Sequence, residues 1–137
     1  MSVITAAIYD RLAGDATLTG LLATYGDAPA VFTMDPAPGD ATLPYIVTAG
    51  EVTQTPWDTK TTRGRELIRD VRCYAADNGS AETVEAIAER VRALLHRHEL
   101  SVSGYQTVVA ECNGPITADE LDAYGRIISI SLKIDGG

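Results

Sequence analysis

The sequence predicts an α+β fold: two layers, with helices packed on one face of a mainly antiparallel sheet and a long β-hairpin arm. Three observations carry this. Ile128, Ile130, Leu132 and Ile134 alternate with Ser129, Ser131 and Lys133, the pattern of a strand with one buried and one wet face. Val84, Ile87, Ala88, Val91, Leu94 and Leu95 recur at helical spacing behind Ser80, while Glu82, Glu85, Glu89, Arg90 and Arg92 lie mostly outside that stripe. The order of elements reads ααβ(β)ββαβββ, with hairpin-length links late in the chain.

Each element has its local reason. Ser2 can cap a first helix in which Ile4, Ile8 and Leu12 fall at four-residue spacing, and Gly14 ends it. Asp15 can cap a short second helix that buries Leu18, Leu21 and Leu22 and closes at Gly26. Residues 27–43, rich in Pro, Gly, Ala and Asp, read as a loop with one brief strand at Val31-Phe32-Thr33-Met34. Pro44 opens a strand over Tyr45–Val52, a place proline tolerates because it donates no ladder bond. The run Arg65–Ala75 alternates, with Leu67, Val71 and Cys73 on one face and Ile68, Asp70, Arg72 and Tyr74 on the other. Asp77-Asn78-Gly79 turns the chain into the clearest helix. Leu100 and Val102 form a short strand, Ser103-Gly104 turns into another over Tyr105–Glu111, and Thr117-Ala118-Asp119-Glu120 matches a capping box, predicting one helical turn.

Between the two central strands lies Thr53–Gly64, a polar, Thr-rich piece that carries the chain's one Trp. Hairpin connections are usually short, and longer ones tend to be functional. Large aromatics are costly to leave wet and are enriched at interfaces. Trp57 either plugs its own domain or meets a partner, and its polar surroundings favour the partner. The segment 53–64 is therefore read as a protruding arm within a single domain, 1–137.

Composition narrows the classes. The 137 residues suffice to bury very roughly two-thirds of the unfolded surface. No apolar run approaches the roughly 20 residues that span a bilayer, so no membrane partner is expected. The start, Met1-Ser2-Val3-Ile4, lacks a basic region and a cleavage-like site, which predicts synthesis and retention in the cytoplasm. The net charge of −8 disfavours binding nucleic acid through a basic surface. The middle of the chain holds eight of the eleven bases, with Lys60, Arg63, Arg65, Arg69 and Arg72 bunched after the arm. This basic strip is either a solvated strand face or an electrostatic contact between copies of an acidic protein.

Catalytic candidates are few. His96 and His98 are two apart near a helix end, so they point to different faces, and positive groups there also satisfy the helix dipole. Cys73 and Cys112 sit in strand-like runs without CxxC spacing and read as small buried apolar residues. The carboxylates Asp119 and Glu120 belong to a cap, and Glu82, Glu85 and Glu89 to a solvated helix face. Tyr105 and Tyr124 stand at strand starts, where they read as sheet-edge packing. No nucleophile elbow, dinucleotide, phosphate-loop or zinc-protease motif occurs. No enzyme, no cofactor and no metal is expected.

The order of these segments resembles the tail-terminator or tail-completion family of long-tailed bacteriophages and of gene transfer agents. The resemblance rests on Ile8-Tyr9-Asp10-Arg11-Leu12 followed by Asp15-Ala16-Thr17-Leu18-Thr19-Gly20-Leu21-Leu22, then Leu43-Pro44-Tyr45-Ile46-Val47 and Thr59-Lys60-Thr61-Thr62-Arg63-Gly64. The helix Ala86–Leu95, the segment Leu100–Tyr105 and the closing Ile/Ser strand complete it. Cys73-Tyr74-Ala75 stands where members usually have a polar aromatic stretch.

The resemblance implies a structural virion protein at the head-proximal end of the tail. Its copies would form a homohexameric ring that terminates the tail tube and joins it to the head connector. The implied partners are other copies of the chain, the tail tube protein and the head-completion or stopper protein. DNA would pass through the lumen without specific binding. Trp57, Thr59, Lys60, Thr61, Arg63, Arg65 and Arg69 are the expected interface residues. A small cytoplasmic adaptor domain is the alternative from the residues alone.

Overall fold

In the computed structural model, residues 3–33, 37–48, 51–56, 64–76, 79–96, 106–119 and 123–135 are described. The chain opens with α1 (Val3–Ala13), and Asp15 caps α2 (Ala16–Thr19) by accepting from Leu18 N at 2.8 Å. A small hairpin, β1 (Thr24–Tyr25) and β2 (Ala28–Pro29), precedes β3 (Val31–Phe32). β4 (Tyr45–Val47) and β5 (Glu51–Pro56) lead to β6 (Gly64–Ala76). α3 (Glu82–Leu95) follows, and β7 (Gln106–Thr117) and β8 (Ala123–Asp135) complete the domain.

β6 and β8 pair antiparallel along their whole length, from Gly64 against Asp135 to Ala76 against Ala123. β7 lies on the far side of β8. On the other flank of β6, β4 pairs with residues 72–74 and β5 with residues 65–69, so the two short strands lie end to end along one edge. β3 adds in parallel beyond β4.

The phase of the strands builds two layers. Leu67, Val71 and Cys73 of β6, Ile128, Ile130 and Leu132 of β8, and Ala110 and Cys112 of β7 share the face under the helices. Ile8 and Leu12 of α1, Leu18 of α2 and the six apolar residues of α3 close that core. Burying each large aliphatic side chain contributes about 2 kcal/mol. The helices are stitched to one another: Arg11 Nε donates to Leu94 O at 2.9 Å, and Arg90 spans both oxygens of Asp15.

A smaller cluster, Ala30, Phe32, Val47, Tyr74 and Ala123, forms elsewhere, with Tyr74 and Val47 out of phase with the helix-facing residues. Tyr25, Phe32, Tyr45 and Tyr74 make a series of tilted ring contacts there, with centroids 5.2, 5.6 and 5.5 Å apart. The segment between Ala23 and Tyr45 covers this corner of the second face.

The α+β architecture with helices on one face is the one the sequence predicts, and α3 buries the six residues named from its periodicity. Four local expectations are corrected. α2 ends at Gly20, whose N–H bonds Ala16 O and Leu18 O, instead of running to Gly26. The loop expected over 27–43 contains half of a two-stranded hairpin. The expected Tyr45–Val52 strand is two strands, and pairing with β6 carries the second of them through Thr53–Pro56. The capping box at Thr117 is not helical: Thr117 pairs with Arg126 in the sheet, and Asp119 Oδ1 accepts instead from Gly125 N and Arg126 Nη1, each at 3.0 Å. Ser2, Leu100, Val102 and Tyr105 lie outside the described residues.

Candidate functional site

On the second sheet face, away from its covered corner, the β6 and β8 residues are half-buried and Glu111, Asn113 and Ile116 of β7 are exposed. Strand phase places Glu66, Ile68, Asp70 and Arg72 of β6 there, beside Ile127, Ser129 and Ser131 of β8. Glu111, Asn113 and Ile116 of β7 extend it. Ser129 Oγ donates to Asp70 at 2.9 Å and Ser131 Oγ to Glu66 at 3.5 Å, holding two carboxylates in place. Ile116, beside Ile127 in the ladder, is 59% exposed and is the exposed large aliphatic among the described residues. It follows Gly114, whose φ of +99° turns the strand within the register shift between Asn113 and Ile116.

Among the described residues, several arginines are bonded inside the chain. Arg90 pairs with Asp15 and Arg11 bonds a helix-end carbonyl. Arg92 Nη1 donates to Cys112 O at 2.8 Å and to Gly114 O at 3.2 Å. Arg126 bridges Asp119 and Glu85, at 3.0 and 3.4 Å. Glu82, Glu85 and Glu89 stand exposed along the outer side of α3.

Of the expected interface residues, Arg65 and Arg69 lie among those described. Trp57, Thr59, Lys60, Thr61 and Arg63 lie outside the described residues. Arg65 sits in β6 opposite Pro56 on one side and Ile134 on the other. Arg69 is fully buried, with Nη2 donating to Thr5 Oγ1 of α1 at 2.7 Å. The single basic strip is thereby corrected: a strand repeats every two residues, so Arg69 faces the helices with Leu67 and Val71, whereas Arg72 lies on the other face.

Side chains with catalytic chemistry have structural partners. His96 Nδ1 accepts from Cys112 N at 3.0 Å, joining the end of α3 to β7; His98 lies outside the described residues. Both cysteines are free thiols in the core, and burial pushes Cys73 up to about 12 and Cys112 up to about 11. Among the described residues no group of three or more His, Cys, Asp or Glu could hold a metal ion. Among them, too, no helix is long and apolar enough to cross a membrane. Tyr124 packs partly buried against the main core.

Sequence reasoning missed Ile116, the Asp119 turn and the grip of Arg92 and His96 on β7. An aliphatic residue just after Asn113-Gly114-Pro115 was the available signal for the first. The other two depend on tertiary pairing.

The chain belongs to the tail completion protein gp17 family, whose sequence profile matches residues 6–132. It is a structural protein of virion tails. Among solved structures it is similar to a chain from the virion of a native gene transfer agent particle, with a TM-score of 0.80 and 20% identity. That match covers 97% of this chain and 95% of the other. At that identity the likeness establishes the shared fold. No curated protein sequence matches the chain.

Proposed function

We propose that copies of this chain form a homohexameric ring that terminates the tail tube and joins it to the head connector. The observation that carries this reading is the asymmetry of the chain's surface. A ring needs a heterologous interface, in which one patch fits a different patch on the next copy. The face with Ile116 lies in one part of the sheet, and the polar connection 57–63, with Trp57, Thr59, Lys60, Thr61 and Arg63, leaves it from another. With Arg65 at its base, this arm is the contact element; Arg69 is withdrawn from the interface set by its burial. Tail completion membership and the likeness to a gene transfer agent virion chain support a place at the tail's end.

The partners are neighbouring copies, the tube protein and the head-completion protein. DNA slides through the lumen without sticking because the net charge of −8 repels phosphate. Native mass spectrometry and negative-stain microscopy test the ring. Six-subunit species are expected for the wild type, and shortening residues 57–63 to a tight turn is expected to leave a folded monomer. A wild type that stays monomeric at high concentration, with and without tube protein, would overturn the proposal.

A further inference from the structure

We propose that His96 is a proton-operated latch between the end of α3 and the sheet: neutral, it holds the Cys112 N–H of β7, and protonated, it lets go. The latch belongs to a single copy of the chain and works whether or not copies assemble.

The bond fixes the state of the ring. A backbone N–H can only donate, so Nδ1, 3.0 Å from Cys112 N, is an unprotonated acceptor. The neutral ring then carries its hydrogen on Nε2. A proton added at Nδ1 leaves an imidazolium with two donors and no acceptor, and two N–H groups would face each other. The proton and the Cys112 bond therefore exclude one another. Histidine is the side chain that changes charge between about pH 8 and pH 5.

The surroundings set what acid releases. His96 is the C-cap of α3: its own N–H bonds Arg92 O, and its ψ of 120° turns the chain out of the helix. One turn back, Arg92 Nη1 donates to Cys112 O at 2.8 Å and to Gly114 O at 3.2 Å. The neutral ring and Arg92 thus hold both backbone groups of Cys112. Arginine stays charged throughout, so acid frees the N–H and leaves the carbonyl held. Arg11, whose Nε donates to Leu94 O, is a second cation bonded to this end of α3. In the sheet row of Cys112 and Ile130, β6 places Arg69, bonded to Thr5. Asp15 of α2 is taken by Arg90, further back along α3. On β7, burial pushes the Cys112 thiol up to about 11, so it stays neutral, and strand phase puts Glu111 on the opposite face. A charged ring would join cations and a neutral thiol, with the carbonyl end of the helix offsetting part of the repulsion.

Amide exchange of the isotope-labelled full chain, followed by NMR between about pH 8 and pH 5, tests the latch. Protection of the Cys112 amide, taken relative to an unfolded peptide at the same pH, is expected to fall about tenfold toward the acid end, the loss of one hydrogen bond. The amides of Ile130 and Leu132 on β8 should keep theirs. His96→Asn sets an uncharged oxygen close to the position of Nδ1 and is expected to hold the Cys112 protection high at both ends of the range. His96→Ala is expected to hold it low at both. The ring nitrogens of wild-type His96 give an independent reading: Nδ1 should be the bare nitrogen at the alkaline end, and its protonation should track the loss of Cys112 protection. Three results would overturn the proposal: a fall that persists in His96→Asn, wild-type protection that ignores pH, or a neutral ring with its hydrogen on Nδ1.

Discussion

Arg90 on α3 grips Asp15 at the start of α2 with two nitrogens, Nε at 2.9 Å and Nη2 at 2.8 Å. The same carboxylate caps α2 through Leu18 N. One acidic side chain thus starts a four-residue helix and fastens it to the longest helix of the domain.

The Arg90 hydrogen bonds, and after them the Leu18 N–H, hold the Asp15 carboxyl down at about 2. A depressed folded value means that the charged form stabilises the fold above the ordinary carboxylate range, and that this contribution drains away as pH falls toward 2. Asp15→Asn keeps a capping oxygen and removes the charge. Its melting temperature is expected to lie a few degrees below wild type at pH 6, with the gap closing between pH 4 and 2. A gap that stays constant across that window would contradict the assignment.

Thr5 Oγ1 accepts from the buried guanidinium of Arg69. Thr5→Val keeps the shape and removes the acceptor, so denaturant unfolding is expected to register a loss of about 2 kcal/mol. Because Arg69 lies under α1, the variant should assemble normally once folded. An assembly defect without loss of stability would place Arg69 at an interface after all.

Gly125 is a second sensitive point. A Cβ there would run into Ala118 O and lie 3.0 Å from Tyr74 Cε1, while the backbone already bonds Ala118 N and Asp119 Oδ1. Gly125→Ala is expected to cost about 1–3 kcal/mol. Circular-dichroism melts measure it, and an unchanged melting temperature would mean the β7–β8 turn yields freely.

Burial raises both thiols far above neutral pH, Cys73 to about 12 and Cys112 to about 11. At pH 8 the folded chain should resist alkylation, since the thiolate is the reactive form. Intact-mass spectra after iodoacetamide are expected to gain two adducts only once denaturant is added. Rapid labelling of the native chain would mean that the core opens near β7.

Much of the fold was legible where one periodicity spans many residues. The six apolar residues of α3 and the Ile/Ser alternation of β8 each match a single face of one element. The two- and three-residue strands β1 to β4 contain too few residues to carry a period, so their pairing follows from tertiary contact. At Thr117-Ala118-Asp119-Glu120 a valid local cap pattern lost to ladder pairing with Arg126, because sheet bonds satisfy the same backbone groups. Arg69 was legible in principle: its phase with Leu67 and Val71 already put it inward, but its charge suggested a surface. The Arg11, Arg90 and Arg92 pairings join residues 83, 75 and 20 positions apart. No local spacing encodes them.

Arg92 and His96 have a consequence for how a sheet-rich chain behaves when crowded. They occupy the carbonyls of Cys112 and Gly114 and the N–H of Cys112, backbone groups that an incoming strand would otherwise use as a template. That stretch of β7 is a dead end for runaway strand-by-strand growth. Backbone groups already bonded in this way are withheld from a further strand that would extend the sheet. The end of α3 therefore acts as a guard rail that leaves specific assembly to the rest of the surface.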